Sequence, residues 1–124
     1  MRKIVVLGAA GKTALAFLQR LSSYQSFFVE SVVRDPEKID RVRPYSDRVS
    51  CFEYADHESL IASMKETSVL YLALPRNDDE VDNAKRILAV AKERSVSHII
   101  YISALYNENQ DSAFSSSKKI IESM

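Results

Sequence analysis

The sequence predicts an α/β domain built on a doubly wound parallel five-stranded sheet, ordered 3-2-1-4-5, with helices on both faces. Three observations carry that expectation. Short aliphatic runs alternate with helical patterns of crossover length along all 124 residues, the arrangement that parallel strands require. Ile4-Val5-Val6-Leu7 is an unbroken apolar run of the kind found in a central strand covered on both faces. Gly8 and Gly11, the only two glycines in the chain, follow that run directly and precede a helical pattern.

The elements are expected as follows. After the first strand, Ala14, Phe17, Leu18 and Leu21 recur at helical spacing from Lys12 to about residue 23. Val29 to Val33 forms the second strand. Asp35-Pro36-Glu37 then combines an N-cap acceptor, a proline at the first helical position and an acid in the first turn. That helix is short, and Pro44 ends it. Val49 to Tyr54 makes a third strand, and Asp56 caps a helix through Leu60, Ile61 and Met64. Ser68 to Leu74 is the fourth strand, stopped by Pro75. Asn77 and Glu80 form a capping box for a helix whose inner face carries Val81, Ala84, Ile87, Leu88 and Ala91. His98 to Ser103 is the fifth strand, and Ser115 to Ser123 a last helix with Ile120 and Ile121 inward.

Composition narrows the classes of function. Hydrophobic residues make up 46% and charged residues 27%, and 17 basic residues balance 17 acidic ones. No bulk charge favours nucleic acid or an acidic membrane. The six tyrosines lack the basic interleaving of a nucleic-acid platform. No apolar run is long enough to span a bilayer, and the chain enters a strand at once, leaving no room for a leader peptide. Cys51 is the single cysteine, so no internal disulfide forms; it is expected in the core. His57 and His98 are too far apart to build a metal site with it. The expectation is one cytoplasmic domain over residues 1–124, without nucleic-acid, membrane or metal partners.

In a doubly wound sheet, ligands sit beyond the carboxyl ends of the strands at the switch between the first and fourth. Gly8, Ala10, Gly11, Lys12 and Thr13 lie there. The stretch is not a P-loop, because Val6 stands where that motif needs its first glycine. Gly8-x-x-Gly11-x-x-Ala14 fits a dinucleotide turn whose last glycine has become alanine. Such a turn aims backbone N–H groups at a pyrophosphate. A tight βα turn that binds nothing is the competing explanation.

Four segments together, Ile-Val-Val-Leu-Gly-Ala-Ala-Gly-Lys-Thr, Val-Val-Arg-Asp-Pro-Glu-Lys, Tyr-Leu-Ala-Leu-Pro and His-Ile-Ile-Tyr-Ile-Ser, resemble the NmrA-like branch of the atypical short-chain dehydrogenase/reductase superfamily. The resemblance covers nearly the whole chain but only the N-terminal part of a typical member. It implies a Rossmann-type NAD(P)-binding domain apparently lacking the C-terminal substrate region. It also implies one of two activities: NAD(P)H-dependent reduction of a quinone or similar acceptor, or NADP binding by a non-catalytic redox sensor. A truncated Rossmann domain without cofactor is a third outcome.

Arg34 closes the second strand, where an arginine accommodates the 2′-phosphate of NADP and an acid favours NAD. A charge-assisted contact is worth roughly 1.5–3 kcal/mol, so Arg34 alone supports about a ten- to hundredfold preference for NADP. A solvated surface arginine is the alternative. Asp35 could bond ribose, but its place before Pro36 favours an N-cap. By the resemblance, Asp56 lies near the adenine amino group, although it equally caps the next helix. The resemblance also implies that Leu74 and Pro75 pass beside the nicotinamide; a strand stop and nothing more is the alternative for Pro75.

The resemblance places a catalytic serine at Ser103, where a strand-ending hydroxyl is an equal competitor. The superfamily's Tyr-x-x-x-Lys becomes Phe114-Ser-Ser-Ser-Lys118 here. Phenylalanine exchanges no proton, and positioned acid–base catalysis is worth about 10²–10⁴-fold, so carbonyl reduction is expected to be badly impaired. Lys118 either bonds the nicotinamide ribose or is solvated. The fifth strand is left as a sheet edge, which the last helix covers, a second copy pairs with, or a longer natural chain protects. Homodimerisation is the expectation.

Overall fold

The computed structural model describes residues 2–24, 26–73 and 80–101. Its five strands are β1 (Arg2–Leu7), β2 (Phe27–Val33), β3 (Arg48–Cys51), β4 (Val69–Leu72) and β5 (His98–Tyr101). All pairings are parallel, in the order β3-β2-β1-β4-β5. The expected sheet order is therefore observed. Leu7 at the end of β1 is level with Val32 of β2 and Leu72 of β4. The switch point thus lies just past Leu7.

Four α-helices connect the strands: α1 (Lys12–Leu21), α2 (Ile39–Val42), α3 (His57–Ser63) and α4 (Glu80–Glu93). Strand alternation sorts the core into two layers. Val5 and Leu7 face Leu60 and Met64 from the α3 segment and Ala84, Ile87 and Val90 of α4. Ile4 and Val6 face Ala14, Leu18 and Leu21 of α1 and Val42 of α2. Four consecutive residues, Ile4 to Leu7, are consequently buried, as a strand covered on both sides demands. Phe17 of α1 stacks on Tyr71 of β4, ring centroids 4.4 Å apart.

Local chemistry sets the helix boundaries. Asp35 accepts a hydrogen bond from the Glu37 amide and caps a 3₁₀ turn at Pro36–Lys38 that leads into α2. The α2 helix ends at Val42, two residues before Pro44, as expected. Pro44 lies within a further 3₁₀ turn, Arg43–Tyr45, where a missing N–H is tolerated because first-turn donors have no intrahelical partner. Asp56 caps α3 as expected, accepting from the Ser59 amide at 3.2 Å and the Ser59 hydroxyl at 2.7 Å. Those two bonds hold its carboxyl below the ordinary carboxylate range. Residues 74–79 and 102–124, which carry the expected capping box and last helix, lie outside the described residues.

Two further differences concern β3. It stops at Cys51 rather than Tyr54, and Cys51 is exposed rather than in the core. As an outer strand, β3 has only β2 beside it, so half of its residues face outward.

At the amino end of the sheet, Glu30 of β2 is buried to 2% exposure. Lys3 pairs with it at 3.3 Å and Arg48 at 3.6 Å, while Ser50 donates to its other oxygen at 2.9 Å. Lys3 also donates to the Ser63 and Lys65 carbonyls at 2.7 and 3.0 Å. One ammonium therefore ties β1, β2 and the end of α3 together. Lys3→Met should cost about 3 kcal/mol in a denaturant melt, near the low end for breaking a buried pair because Arg48 stays. Lys3→Met/Glu30→Leu should recover part of that loss.

Candidate functional site

Beyond the carboxyl end of β1 the chain turns sharply. Gly8 adopts φ = +70°, a conformation open to glycine and costly for residues with a Cβ. A Cβ at Gly8 would also collide with the Ala73 carbonyl, where β4 ends. The Ala9 amide donates to the Val32 carbonyl at 3.2 Å, and the Gly11 amide donates to the Gly8 carbonyl at 3.1 Å. The turn is thereby fixed to both neighbours of β1.

Gly11 is glycine for a different reason. Its backbone is extended, with φ = −69° and ψ = 157°. Among the described residues a Cβ there would meet only the Gly8 carbonyl at 3.4 Å, an ordinary contact. Neither its backbone nor packing by the described residues requires glycine at this position. What its missing Cβ leaves is open access to the N-terminus of α1, which starts with no side-chain cap. Gly11, Lys12 and Thr13 are exposed. First-turn amides of a ten-residue helix that no side chain caps have the chemistry to take an anion.

Arg34 follows β2 on the same edge of the sheet, one strand from this turn. Its Nε bonds Glu53 Oε2 at 2.8 Å, and its guanidinium carbon lies 5.4 Å from the centre of the Tyr54 ring. It is neither an isolated surface arginine nor an unpaired one. Strand register explains the meeting: Val33 is level with Cys51, and the Phe52 amide donates to the Val33 carbonyl at 3.1 Å. Glu53 and Tyr54 thus emerge beside Arg34.

Tyr54 is 1% exposed. Its hydroxyl lies near the Gly8 amide but has no hydrogen-bond partner. Burial pushes its phenol up to about 12; the Arg34 cation and the Gly8 amide oppose that rise and Glu53 adds to it. Neither Glu53 nor Tyr54 was readable as a site residue from sequence, since Tyr54 passed for the end of a strand. The usable signal was position: both stand past the last paired residue of β3, next to the strand that delivers Arg34.

The structure thus brings Gly8, Ala10, Gly11, Lys12, Thr13 and Arg34 to one edge of the sheet. Asp56 lies at the same edge with its carboxylate engaged by Ser59. Leu74, Pro75, Ser103, Phe114 and Lys118 lie outside the described residues. Among the described residues, no cluster of three histidine, cysteine, aspartate or glutamate side chains could hold a metal.

A family model described as NAD(P)H-binding matches residues 8–123. The chain belongs to the NAD(P)H-binding family. No curated protein sequence matches it. Among solved structures similar to this NAD(P)H-binding domain is a triphenylmethane reductase from Citrobacter sp., with a TM-score of 0.82 at 21% identity, covering 98% of this chain and 44% of the reductase. A nucleoside-diphosphate-sugar epimerase from Staphylococcus aureus gives 0.80 at 20% identity, covering 99% of this chain and 45% of the epimerase. An NADPH-dependent quinone oxidoreductase from Escherichia coli, solved with NADPH, gives 0.78 at 19% identity, covering 97% and 43%. At these identities the likeness is one of fold. The NAD(P)H-binding chain spans less than half the length of each of the three.

The two glycines should respond oppositely to alanine. Gly8→Ala should destabilise the fold by more than about 2 kcal/mol, from left-handed strain and the Ala73 clash together. Gly11→Ala should cost less than about 1 kcal/mol, yet weaken dinucleotide binding at least tenfold, ~1.4 kcal/mol. Thermal melts and calorimetric titration read the two effects separately.

Tyr54 gives an alkaline test. Its raised pKa contributes stability that is complete below the unfolded phenol's value near ~10 and is lost as pH rises through about 12. Between pH 9 and 12 the wild type should lose about 2 kcal/mol more than Tyr54→Phe. Near neutrality the same variant should be no less stable, because it removes a buried hydroxyl that has no partner.

Proposed function

We propose that this domain binds NADP(H) in preference to NAD(H), and that it serves the reduction of a quinone or similar acceptor. The observation that carries the reading is Gly11. Its missing Cβ serves neither the backbone nor the packing of the described residues and leaves the uncapped N-terminus of α1 open. A pyrophosphate fits that opening, held by the first-turn amides and the α1 dipole. Lys12 adds a cation at the same helix end.

Arg34 then reads the adenosine ribose. A guanidinium presents five donors in a planar fork, and Nε bonded to Glu53 leaves the two terminal nitrogens for a 2′-phosphate. Asp56, at the next strand end, stands toward the adenine side. Support for an acceptor-reducing role comes from likeness to a triphenylmethane reductase solved with NADP(H) and to the NADPH-dependent quinone oxidoreductase. Bound NADPH would supply a hydride. Leu74 and Pro75 are assigned to the nicotinamide side, and Ser103 and Lys118 to polar contacts there.

Phe114 favours a second reading. Without a phenol at that position the chain has no general acid of the Tyr-x-x-x-Lys kind, which suits an NADP-binding sensor that does not turn its ligand over. Calorimetric titration with NADPH, NADP and NADH, followed by NADPH oxidation with a quinone, separates the readings. NADP(H) should bind at least about tenfold more tightly than NADH, and Arg34→Ala should remove that difference. Oxidation supports the reductase. Binding without oxidation supports the sensor. Equal affinity for NADPH and NADH, or no binding of either, overturns the NADP assignment.

A further inference from the structure

We infer that Glu53 sets how strongly this site discriminates a 2′-phosphate from a 2′-hydroxyl, by holding Arg34 against the incoming ligand; the inference rests on the dinucleotide reading above. The geometry is specific. Arg34 is fixed in two directions at once, its face over the Tyr54 ring at 5.4 Å and its Nε edge on the Glu53 carboxylate at 2.8 Å. Tyr54 is itself buried in the core beside Gly8, so its ring links the guanidinium to the glycine turn. Glu53 is different. Its side chain is 61% exposed and makes no second ion pair among the described residues. It is anchored only by Arg34.

Two consequences follow for an anion arriving at Arg34. The guanidinium is already neutralised, so a 2′-phosphate gains less from it than from an unpaired arginine. The carboxylate also repels a phosphate dianion from close range, whereas a free 2′-hydroxyl meets no such repulsion and can donate to the same carboxylate. Both effects act in one direction. Glu53 weakens binding of the phosphorylated ribose, leaves or improves binding of the plain one, and so narrows the preference that Arg34 creates. Because the pair lies at the surface, the handicap is modest and falls with added salt. The carboxylate can also swing into solvent when a phosphate takes its place.

The probes are adenosine 2′,5′-bisphosphate and 5′-AMP, which differ only in the 2′-phosphate and require no turnover. Titrations of wild type and Glu53→Gln should show the variant binding the bisphosphate about three- to tenfold more tightly, with 5′-AMP affinity unchanged or lower. The gain should shrink as salt is raised from low to high concentration. Thermal melts check that this exposed substitution leaves the fold intact. An unchanged ratio of the two affinities overturns the inference. So does a lower ratio, which would make Glu53 a support for Arg34 rather than its competitor. If wild type binds NADPH while the ratio does not move, only the role of Glu53 fails. If wild type binds neither NADPH nor the bisphosphate, the dinucleotide reading fails and the inference goes with it.

Discussion

At Gly8 the main chain leaves the central strand with a positive φ and passes so close to the Ala73 carbonyl that no side chain fits between them. The features of the site follow from that passage. It directs the turn across the end of the sheet, lets the Ala9 amide reach β2, and sets where α1 begins. It also sets the position of the Gly8 amide, against which the Tyr54 hydroxyl is buried. Arg34 then lies on the Tyr54 ring. A backbone constraint in one residue is thus passed through an aromatic ring to a charged group at the end of the neighbouring strand.

The two ends of the sheet solve different problems. At the amino end, buried Glu30 joins Lys3 and the exposed Arg48 in an ionic junction, and Lys3 also donates to two backbone carbonyls. At the carboxyl end the helix α1 starts without a cap, and Arg34, one strand away, is paired with an acid that is mostly in solvent. The ionic junction ties strands and a helix end together at one end of the sheet, while at the other the helix start carries no side-chain cap.

The fold was legible because it rests on patterns that tertiary context reinforces. The apolar run Ile4 to Leu7, the crossover-length helices and the caps at Asp35 and Asp56 act locally and agree with the global arrangement. The glycine turn was legible as well, although sequence treated its two glycines alike. Only three-dimensional proximity separates them: Ala73 arrives from a distant strand to crowd Gly8, and among the described residues nothing arrives to crowd Gly11. Glu53 and Tyr54 escaped for the same reason. Their partnership with Arg34 depends on the register between β2 and β3, which no local spacing encodes. Cys51 was misjudged because an apolar residue type was read as interior on a strand that has only one neighbour.

The contact between Gly8 and Ala73 also bears on how the molecule comes together. The turn is encoded at the start of the chain, yet its shape is completed by a residue that follows four of the five strands. Contacts of such long sequence separation form late and slowly. The contact that crowds Gly8 therefore exists only once β4 lies beside β1. Any ligand held at this turn engages the finished fold and not its precursors, so its binding energy is added in full to the stability of the native state. Occupancy of the site becomes a certificate that the chain has finished folding.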